Sequence, residues 1–228
     1  RRMAYQPFDL TGKTALVTGG NGGIGLGMAD AMAQAGAKVC IWGTNAEKND
    51  AALEQLSTHG TEVAAMICDV SDEAQVEARF AETVERFGNL FGVFANAGVS
   101  GGREQVPFVE MTTERWRQIV GVNLDGAFYT FRAAARHMME HGEGGRIAGT
   151  ASLAAISGAA RNQHYAATKG GMISMIYAMA VELARFNMTV NAILPGWIET
   201  AMTERAFNWE KVANNVIPRI PHRRWGQP

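Results

Sequence analysis

A short apolar run, a cluster of glycines and a helical pattern follow one another near the start of the sequence. Residues 13–18 form the run, which is typical of a buried parallel strand. The turn Gly19-Gly20-Asn21-Gly22-Gly23-Ile24-Gly25 comes next, and apolar residues three or four apart then indicate a helix that ends at Gly36. Glycines let a backbone approach a ligand closely, and the free N–H groups of a helix start favour an anion. The pattern therefore predicts a pyrophosphate-binding unit, the alternative being a glycine-rich turn without a ligand.

The alternation of strand and helix patterns continues along the chain. Further strands are predicted at 38–42, 62–68, 90–95, 146–150 and 189–194, and further helices at 47–57, 72–87, 114–141 and 165–186. Such alternation predicts the α/β class: a doubly wound parallel sheet (a Rossmann fold) with helices on both faces and ligands at the carboxyl ends of the strands. We expect one domain over residues 8–228, and interpret Arg1 and Arg2, ahead of Met3, as a remnant of cloning.

Composition narrows the possible partners. A formal net charge of -1 gives no basic surface for nucleic acid, and no apolar run approaches the roughly 20 residues that span a bilayer. Cys40 and Cys68 fall inside strand patterns, where a buried free thiol is expected, and the histidines lack the spacing of metal ligands. We therefore expect a cytoplasmic protein that binds neither membrane, nucleic acid nor metal.

Tyr165 and Lys169 lie four positions apart in a helical pattern, and Tyr165 follows Ser152 by thirteen residues. The i and i+4 spacing puts both side chains on one helix face. A neighbouring ammonium ion favours phenolate over phenol and so lowers the pKa of a tyrosine, which suits it to exchange a proton with a carbonyl or alcohol oxygen. The pair alone is also compatible with a chance arrangement on the surface.

A larger set of motifs surrounds this pair. The set comprises Thr18-Gly19-x-x-x-Gly23-Ile24-Gly25, Asn96-Ala97-Gly98, Asn123, Ser152, Tyr165-x-x-x-Lys169 and Pro195-Gly196. In order and separation it resembles the short-chain dehydrogenase/reductase family, and most closely the bacterial 3-oxoacyl-carrier-protein reductases. The resemblance covers the chain from about Phe8 onward. It implies a Rossmann fold, a nicotinamide cofactor and hydride transfer between a carbonyl and an alcohol.

The resemblance also implies a role for each matching residue. Tyr165 is the general acid/base, Lys169 lowers its pKa and binds the nicotinamide ribose, and Ser152 positions the substrate oxygen. Asn123 holds a water of a proton relay, the alternative being a buried structural amide. Cofactor contacts are implied at the pyrophosphate for Gly19, Asn21, Gly23, Ile24 and Gly25, and after the second strand for Thr44 and Asn45. Contacts with the adenine are implied for Asp69 and Val70, and a place at the adenosine or the central strands for Asn96, with Ala97 and Gly98 beside it. Contacts along the nicotinamide are implied for Pro195 and Gly196, and contacts with its carboxamide for Ile198 and Thr200.

Cofactor choice is predicted from the end of the second strand. Family members that prefer NAD carry an acidic residue there, which binds the ribose 2′-OH. Gly43, Thr44 and Asn45 occupy this place, so no carboxylate repels a 2′-phosphate, and Lys48 is within reach. The arginine common in NADP-preferring members is absent at both Gly22 and Thr44. We expect NADP(H) to be preferred over NAD(H).

Three segments, 99–104, 153–163 and 197–209, are expected to shape a substrate pocket. They supply Leu153, Ile156, Trp197, Ile198, Met202 and Phe207, with Arg161, Gln163 and His164 as polar contacts. An apolar ketone or secondary alcohol would fit, although the aromatic residues are equally explained by packing. The alternatives are a carrier-protein-linked 3-oxoacyl reductase and, from another class, a non-catalytic module that senses a dinucleotide or binds a partner.

Two expectations concern assembly and chain length. The helices predicted at 114–141 and 165–186 are apolar on more than one side, and in the family these helices pair across a two-fold axis, so we expect a homodimer or homotetramer. Residues 221–228 resemble a family segment that continues into another helix and strand. We therefore expect further sequence to cover the strand 189–194, which otherwise lies at the sheet edge, the alternative being that a partner subunit or a loop covers it.

Overall fold

A computed structural model describes residues 8–101 and 106–228, and one parallel sheet organises them. Its strands are β1 (Thr14–Thr18), β2 (Lys38–Gly43), β3 (Val63–Ile67), β4 (Gly92–Ala95), β5 (Gly145–Thr150) and β6 (Met188–Ile193), in the spatial order β3-β2-β1-β4-β5-β6. The predicted Rossmann fold is confirmed. β6 is an edge strand, as the sequence predicts, and the order reverses between β1 and β4, where such sheets bind their ligands.

The predicted helices lie between the strands, and three short helices that the apolar patterns did not predict lie at residues 154–157, 204–208 and 210–216. The helices are α1 (Gly23–Gln34), α2 (Ala46–Ser57), α3 (Glu73–Phe87), α4 (Thr113–Val120), α5 (Gly126–His141), α6 (Ala154–Ser157), α7 (Gln163–Leu183), α8 (Glu204–Asn208) and α9 (Glu210–Val216). Asn45 and Asp72 cap α2 and α3 by accepting hydrogen bonds from the backbone N–H groups of Lys48 and Gln75. These caps fix where the two helices begin.

One predicted helix is interrupted. The sequence predicts a continuous helix over 114–141, whereas α4 and α5 are joined by a π-helical turn, Gly121–Asp125. The reason is Asn123, whose amide turns inward to bond both backbone groups of Val99. A π-turn supplies the extra residue that this inward rotation needs.

Alternate residues of the central strands supply two cores. On one face, Val17, Val39 and Ile41 pack with α1 and α2. On the other, Leu16 and Trp42 pack with residues of α3, α5 and α7. Strands that are buried on both faces explain the continuous apolar runs. The two helical layers hold the sheet rigid beneath its carboxyl edge.

The chain beyond β6 returns to that edge. Gly226 pairs with Ile198 in an isolated parallel bridge, and the ring of Trp225 meets that of Trp197 at 5.3 Å between centroids. A Cβ atom on Gly27 would lie 3.2 Å from that of Pro228, so this segment also packs on α1.

Candidate active site

A cleft of about 530 Å³ opens at the carboxyl edge of the sheet, above the ends of β1, β2, β4 and β5. Most residues implied by the resemblance line it: Gly19, Asn21, Gly23, Ile24, Thr44, Asp69, Val70, Asn96, Ala97, Gly98, Ser152, Tyr165, Lys169, Pro195, Gly196, Ile198 and Thr200. Gly25, Asn45 and Asn123 are not among the lining residues. One crevice therefore brings the glycine turn and the Tyr/Lys pair together.

The glycine turn has the geometry of an anion site. Gly19 and Gly23 adopt φ angles of 62° and 51°, which glycine tolerates best. A Cβ atom on Gly25 would lie 2.2 Å from the Gly19 carbonyl oxygen, so Gly25 serves close packing rather than contact with a ligand. No side chain caps α1, and its first turn holds no acidic residue. The N–H groups there are not taken up by a capping side chain, and these residues fit a pyrophosphate.

Asn96 joins the two central strands beneath this turn. Its side-chain nitrogen donates to the carbonyl oxygens of Thr18 and Gly19 at 3.1 and 3.2 Å. The Thr18 hydroxyl in turn accepts from the backbone N–H groups of Asn96 and Ala97. The expected places for Asn96 were the adenosine and the central strands, and its amide nitrogen lies at the central strands.

The end of β2 is more crowded than its glycine suggests. Asn49 is buried and donates to the carbonyl oxygens of Gly43 and Met66, and its own oxygen accepts from Asn21 Nδ2 at 2.7 Å. A Cβ atom on Gly43 would lie 2.1 Å from that nitrogen. Asn45 does not line the cleft, and its side chain caps α2. Thr44 and Lys48 are exposed and line the cleft here.

Ser152, Tyr165 and Lys169 meet at the inner end of the cleft. The Ser152 side chain lies close enough to the Tyr165 hydroxyl to favour its ionised form, and the Lys169 ammonium lies 5.6 Å from the centre of the tyrosine ring. Lys169 is only 3% exposed, and its Nζ donates to the Thr150 carbonyl oxygen at 2.6 Å. All three side chains therefore lie within one partly desolvated site.

Desolvation controls the two ionisable groups. Burial lowers the pKa of Lys169 to about 8. Burial raises the pKa of Tyr165, and the nearby Ser152 side chain opposes the rise. The direction differs from the sequence-based expectation of a lowered tyrosine pKa, because loss of water around the phenol dominates while Lys169 is directed to Thr150.

Asn123 is completely buried in the π-turn. Its oxygen accepts from the Val99 N–H at 2.8 Å, and its nitrogen donates to the Val99 carbonyl at 2.9 Å and to the Thr168 hydroxyl at 3.3 Å. A Cβ atom on Gly98 would lie 3.2 Å from Asn123 Oδ1 and 3.4 Å from Lys169 Nζ. The amide therefore ties the segment after β4 to the helices beside Lys169.

Several lining residues were not identified from the sequence. Trp42, Cys68 and Thr150 end or follow strands and contribute to the cleft, and Val122 reaches it from the π-turn. Their positions follow from strand register, which no local motif reveals. Of the predicted pocket residues, Leu153, Ile156, Trp197 and Met202 are exposed beside the cleft, whereas residues 102–104 lie outside the described part.

The described residues contain neither a metal site nor a membrane-spanning helix. Within residues 8–101 and 106–228, no three His, Cys, Asp or Glu side chains are grouped to hold a metal ion. In the same ranges, every helix is too short or too polar to cross a membrane.

Comparison with known proteins identifies the family. A model of the short chain dehydrogenase family matches residues 13–211, and the chain belongs to that family. L-rhamnose-1-dehydrogenase of Scheffersomyces stipitis is 37% identical over 96% of this chain and 85% of its own length. A 3-oxoacyl-[acyl-carrier-protein] reductase of Chlamydia pneumoniae is 36% identical over 86% of this chain and 77% of its own.

Solved structures agree with this assignment. Levodione reductase matches with a TM-score of 0.90 at 35% identity, covering 95% of this chain and 86% of that one. An NADP-bound putative 2-deoxy-D-gluconate 3-dehydrogenase from Agrobacterium tumefaciens has a TM-score of 0.89 at 31% identity, covering 98% and 87%. NAD⁺-bound xylitol dehydrogenase has the same TM-score and identity, covering 96% and 88%. The protein is thus an NAD(P)-dependent oxidoreductase that transfers a hydride between an alcohol and a ketone.

Proposed function

We propose that Tyr165 exchanges a proton with the substrate oxygen of a secondary alcohol or ketone while Ser152 holds that oxygen. The meeting of Ser152 and Tyr165 in one cleft, beside the buried Lys169, carries this proposal. The glycine turn of the same cleft would hold the pyrophosphate of the cofactor, whose nicotinamide would supply or accept the hydride. In the reductive direction, the carbonyl carbon gains the hydride and its oxygen gains the Tyr165 proton. Oxidation of the alcohol returns both.

Electrostatics support this assignment. A neutral phenol at working pH is the form that can donate a proton, and burial of Tyr165 favours that form. The phenolate left behind is then stabilised by the Lys169 ammonium, which faces the tyrosine ring within the same buried site. A positive charge held in advance at this place stabilises the developing negative charge more strongly than it would in water.

Lys169 and Asn123 extend the proposal beyond the tyrosine. We assign Lys169 a second role in binding the nicotinamide ribose, since it lines the cleft beside Tyr165. Asn123 is assigned to a water relay that resupplies the proton. Its side-chain amide is engaged with Val99 and Thr168, so the side chain acts by shaping that relay through the positions of its neighbours.

We further propose that NADP(H) is preferred. The end of β2 presents Thr44 and Lys48 and no carboxylate, so negative charge does not oppose a 2′-phosphate there. The hydrogen-bonded pair of half-buried Asn21 and buried Asn49 fills the space that an acidic side chain at Gly43 would need. Relatives include proteins bound to either cofactor, so the preference rests on this local arrangement.

The substrate is proposed to be a small, largely apolar ketone or alcohol. Leu153, Ile156, Trp197 and Met202 are exposed where the nicotinamide end of the cleft opens. A 3-oxoacyl group on a carrier protein is the second candidate, and the relative from Chlamydia pneumoniae favours it. Binding without catalysis is the competing class of function.

We propose a homodimer or homotetramer assembled through α5 and α7. Phe128 of α5 is 42% exposed, and Tyr177 and Val181 of α7 are 70% and 83% exposed. Exposed aromatic and branched side chains on long helices mark a surface for association. We expect the protein in the cytoplasm, and the free thiols Cys40 and Cys68 support a reducing compartment.

Absorbance at 340 nm with NADPH or NADH tests the function. The panel comprises cyclic diketones, other small ketones, 2-oxo sugar acids and a 3-oxoacyl thioester, and we expect the fastest consumption with a small, largely apolar ketone. Fluorescence titration gives the cofactor affinity separately. Tight cofactor binding without turnover across the panel, in both directions, would favour the non-catalytic alternative.

A further inference from the structure

His164 lies directly before Tyr165 in the first turn of α7 and is fully buried. Its Nδ1 atom accepts a hydrogen bond from the backbone N–H of Tyr165 at 3.0 Å. Because Nδ1 is the acceptor, the hydrogen-bond geometry assigns the ring proton to Nε2. Nε2 is itself buried and has no partner within residues 8–101 and 106–228. The ring therefore directs its acceptor at the residue that carries the proposed catalytic phenol.

The bond satisfies an N–H group that the helix leaves free. α7 begins at Gln163, and Asn162, which precedes it, makes no side-chain cap. The Ala166 N–H bonds to the Asn162 carbonyl oxygen. The Tyr165 N–H belongs to the residue before and therefore has no acceptor within the helix. Such N–H groups normally take an acceptor from the residue before the helix. Here the imidazole of His164 supplies it from inside the first turn.

Packing restricts the opposite edge of the ring. A Cβ atom on Gly101 would lie 2.8 Å from His164 Cε1 and 3.2 Å from Nε2. The carbonyl oxygen of Gly101 accepts a hydrogen bond from the Arg115 guanidinium. Val99, two residues earlier, is held by Asn123. The imidazole is thus confined between Gly101 and the Tyr165 backbone, which limits rotation of the ring.

We propose that His164 is a positioning residue whose Nδ1 atom fixes the backbone of Tyr165, so that the phenol stays aligned with Ser152 and the substrate oxygen. The inference rests on the proposed role of Tyr165. Displacement of a reacting group by 1 Å can lower a rate by about 100-fold, so this local hydrogen bond bears on turnover and not only on helix stability.

Replacing His164 with asparagine or with glutamine tests the roles of its two ring nitrogens separately. Asparagine carries its oxygen at a position equivalent to Nδ1, whereas glutamine carries one equivalent to Nε2. In His164→Asn we expect kcat to stay within about threefold of the parent, and in His164→Gln to fall roughly 10- to 100-fold. The cofactor dissociation constant, measured by fluorescence, should change less than about threefold in both. Equal losses in the two variants, or no loss in either, would overturn the proposal.

A measurement on the unmodified protein keeps the proposal testable if the variants do not fold. The chain contains 4 tyrosines, so selective ¹⁵N-tyrosine labelling gives few amide signals, and Tyr165→Phe assigns the one of interest. We expect the Tyr165 amide to exchange with solvent at least about 100-fold more slowly than a free peptide. Exchange at the free-peptide rate would refute the hydrogen bond, whether or not a substrate has been found.

Discussion

The Lys169 ammonium donates a hydrogen bond to the Thr150 carbonyl oxygen across 2.6 Å, and both residues are buried. The bond only partly replaces the water that the charge has lost, and burial lowers the pKa of Lys169 to about 8. A buried charge of this kind destabilises the fold and is retained where it serves catalysis.

Lys169→Met should therefore abolish turnover while stabilising the protein near pH 7. The pKa difference from a free lysine corresponds to about 3 kcal/mol, and the unpaired Thr150 carbonyl offsets roughly 1–3 kcal/mol of it, leaving a gain on the order of 1 kcal/mol. Urea unfolding of both proteins measures this difference.

The pH dependence of the stability difference between Lys169→Met and the parent provides the control. Between about pH 8 and 10.5 the unfolded parent binds more protons than the folded parent, so parent stability rises with pH. The advantage of the methionine variant should be complete below pH 8 and shrink toward pH 10.5. A variant less stable than the parent at every pH would contradict the assigned cost of the buried charge.

Tyr165→Phe should remove the proton donor without disturbing the cleft. Phenylalanine keeps the ring of this partly buried residue and loses only the hydroxyl beside Ser152. We expect kcat to fall by about 10²–10⁴ or more, and cofactor affinity to stay within a few-fold. Stopped-flow kinetics and fluorescence titration check the two quantities. Activity within a few-fold of the parent would show that another group moves the proton.

Thr44→Asp should move cofactor preference toward NAD(H). Thr44 is exposed at the end of β2, so a carboxylate there repels a 2′-phosphate without steric conflict. The ratio of kcat/KM for NADPH to that for NADH should be above one in the parent and fall by roughly 10-fold or more. Thr44→Asn, which is similar in size and uncharged, is the matched control. An equal shift in both variants would mean that charge is not responsible.

Val181→Glu should weaken the proposed oligomer. A carboxylate on the exposed face of α7 would be buried without a partner in an interface there. Light scattering should show the parent as a dimer or tetramer at micromolar concentration, and the variant shifted toward 24.6 kDa monomers. Ile67→Glu places the same charge on β3, a strand at the other sheet edge, and should leave the mass unchanged. A monomeric parent would refute the assembly.

His137→Gln should improve stability in acid. The Leu90 N–H donates to His137 Nε2 at 3.1 Å, so the ring is needed in its neutral form. Burial, with the neighbouring His141, lowers the pKa of His137 below the ordinary 6.5. The parent therefore has its full stability above about pH 6.5 and loses part of it as pH falls through the folded-state pKa.

Glutamine keeps an acceptor near the Nε2 position and cannot titrate. The midpoint of thermal unfolding should be similar in variant and parent at pH 8, and higher in the variant at pH 5 by roughly 1–2 °C. Exposed His222→Gln serves as the control. A pH-independent difference would rule out titration of His137 as the cause.

The positions of the strands and the location of the cleft were predictable, because they follow from repeated patterns. Apolar runs that stop at Thr18 and Thr150 indicate strand ends, and the spacing of Tyr165 and Lys169 places both on one face of α7. Two other features depend on contacts between distant segments. Asn49 of α2 bonds to Asn21, and the two amides fill the space beside Gly43. The burial that raises the pKa of Tyr165 arises from packed tertiary structure. Neither has a signature in local spacing.

The π-turn at Gly121–Asp125 makes the length of this region a constrained quantity. A π-turn contains one residue more than the α-helical path it replaces. Deleting a single residue here would allow α4 and α5 to merge into one regular helix. The flanking helices would keep their relative orientation, because the deleted residue is the one that the wider turn accommodates, but the turn itself would be lost. Asn123, now buried in that turn, would lose the backbone geometry that directs its amide to Val99. A one-residue gap in this region would therefore mark a sequence that has abandoned this arrangement, even with every motif residue intact.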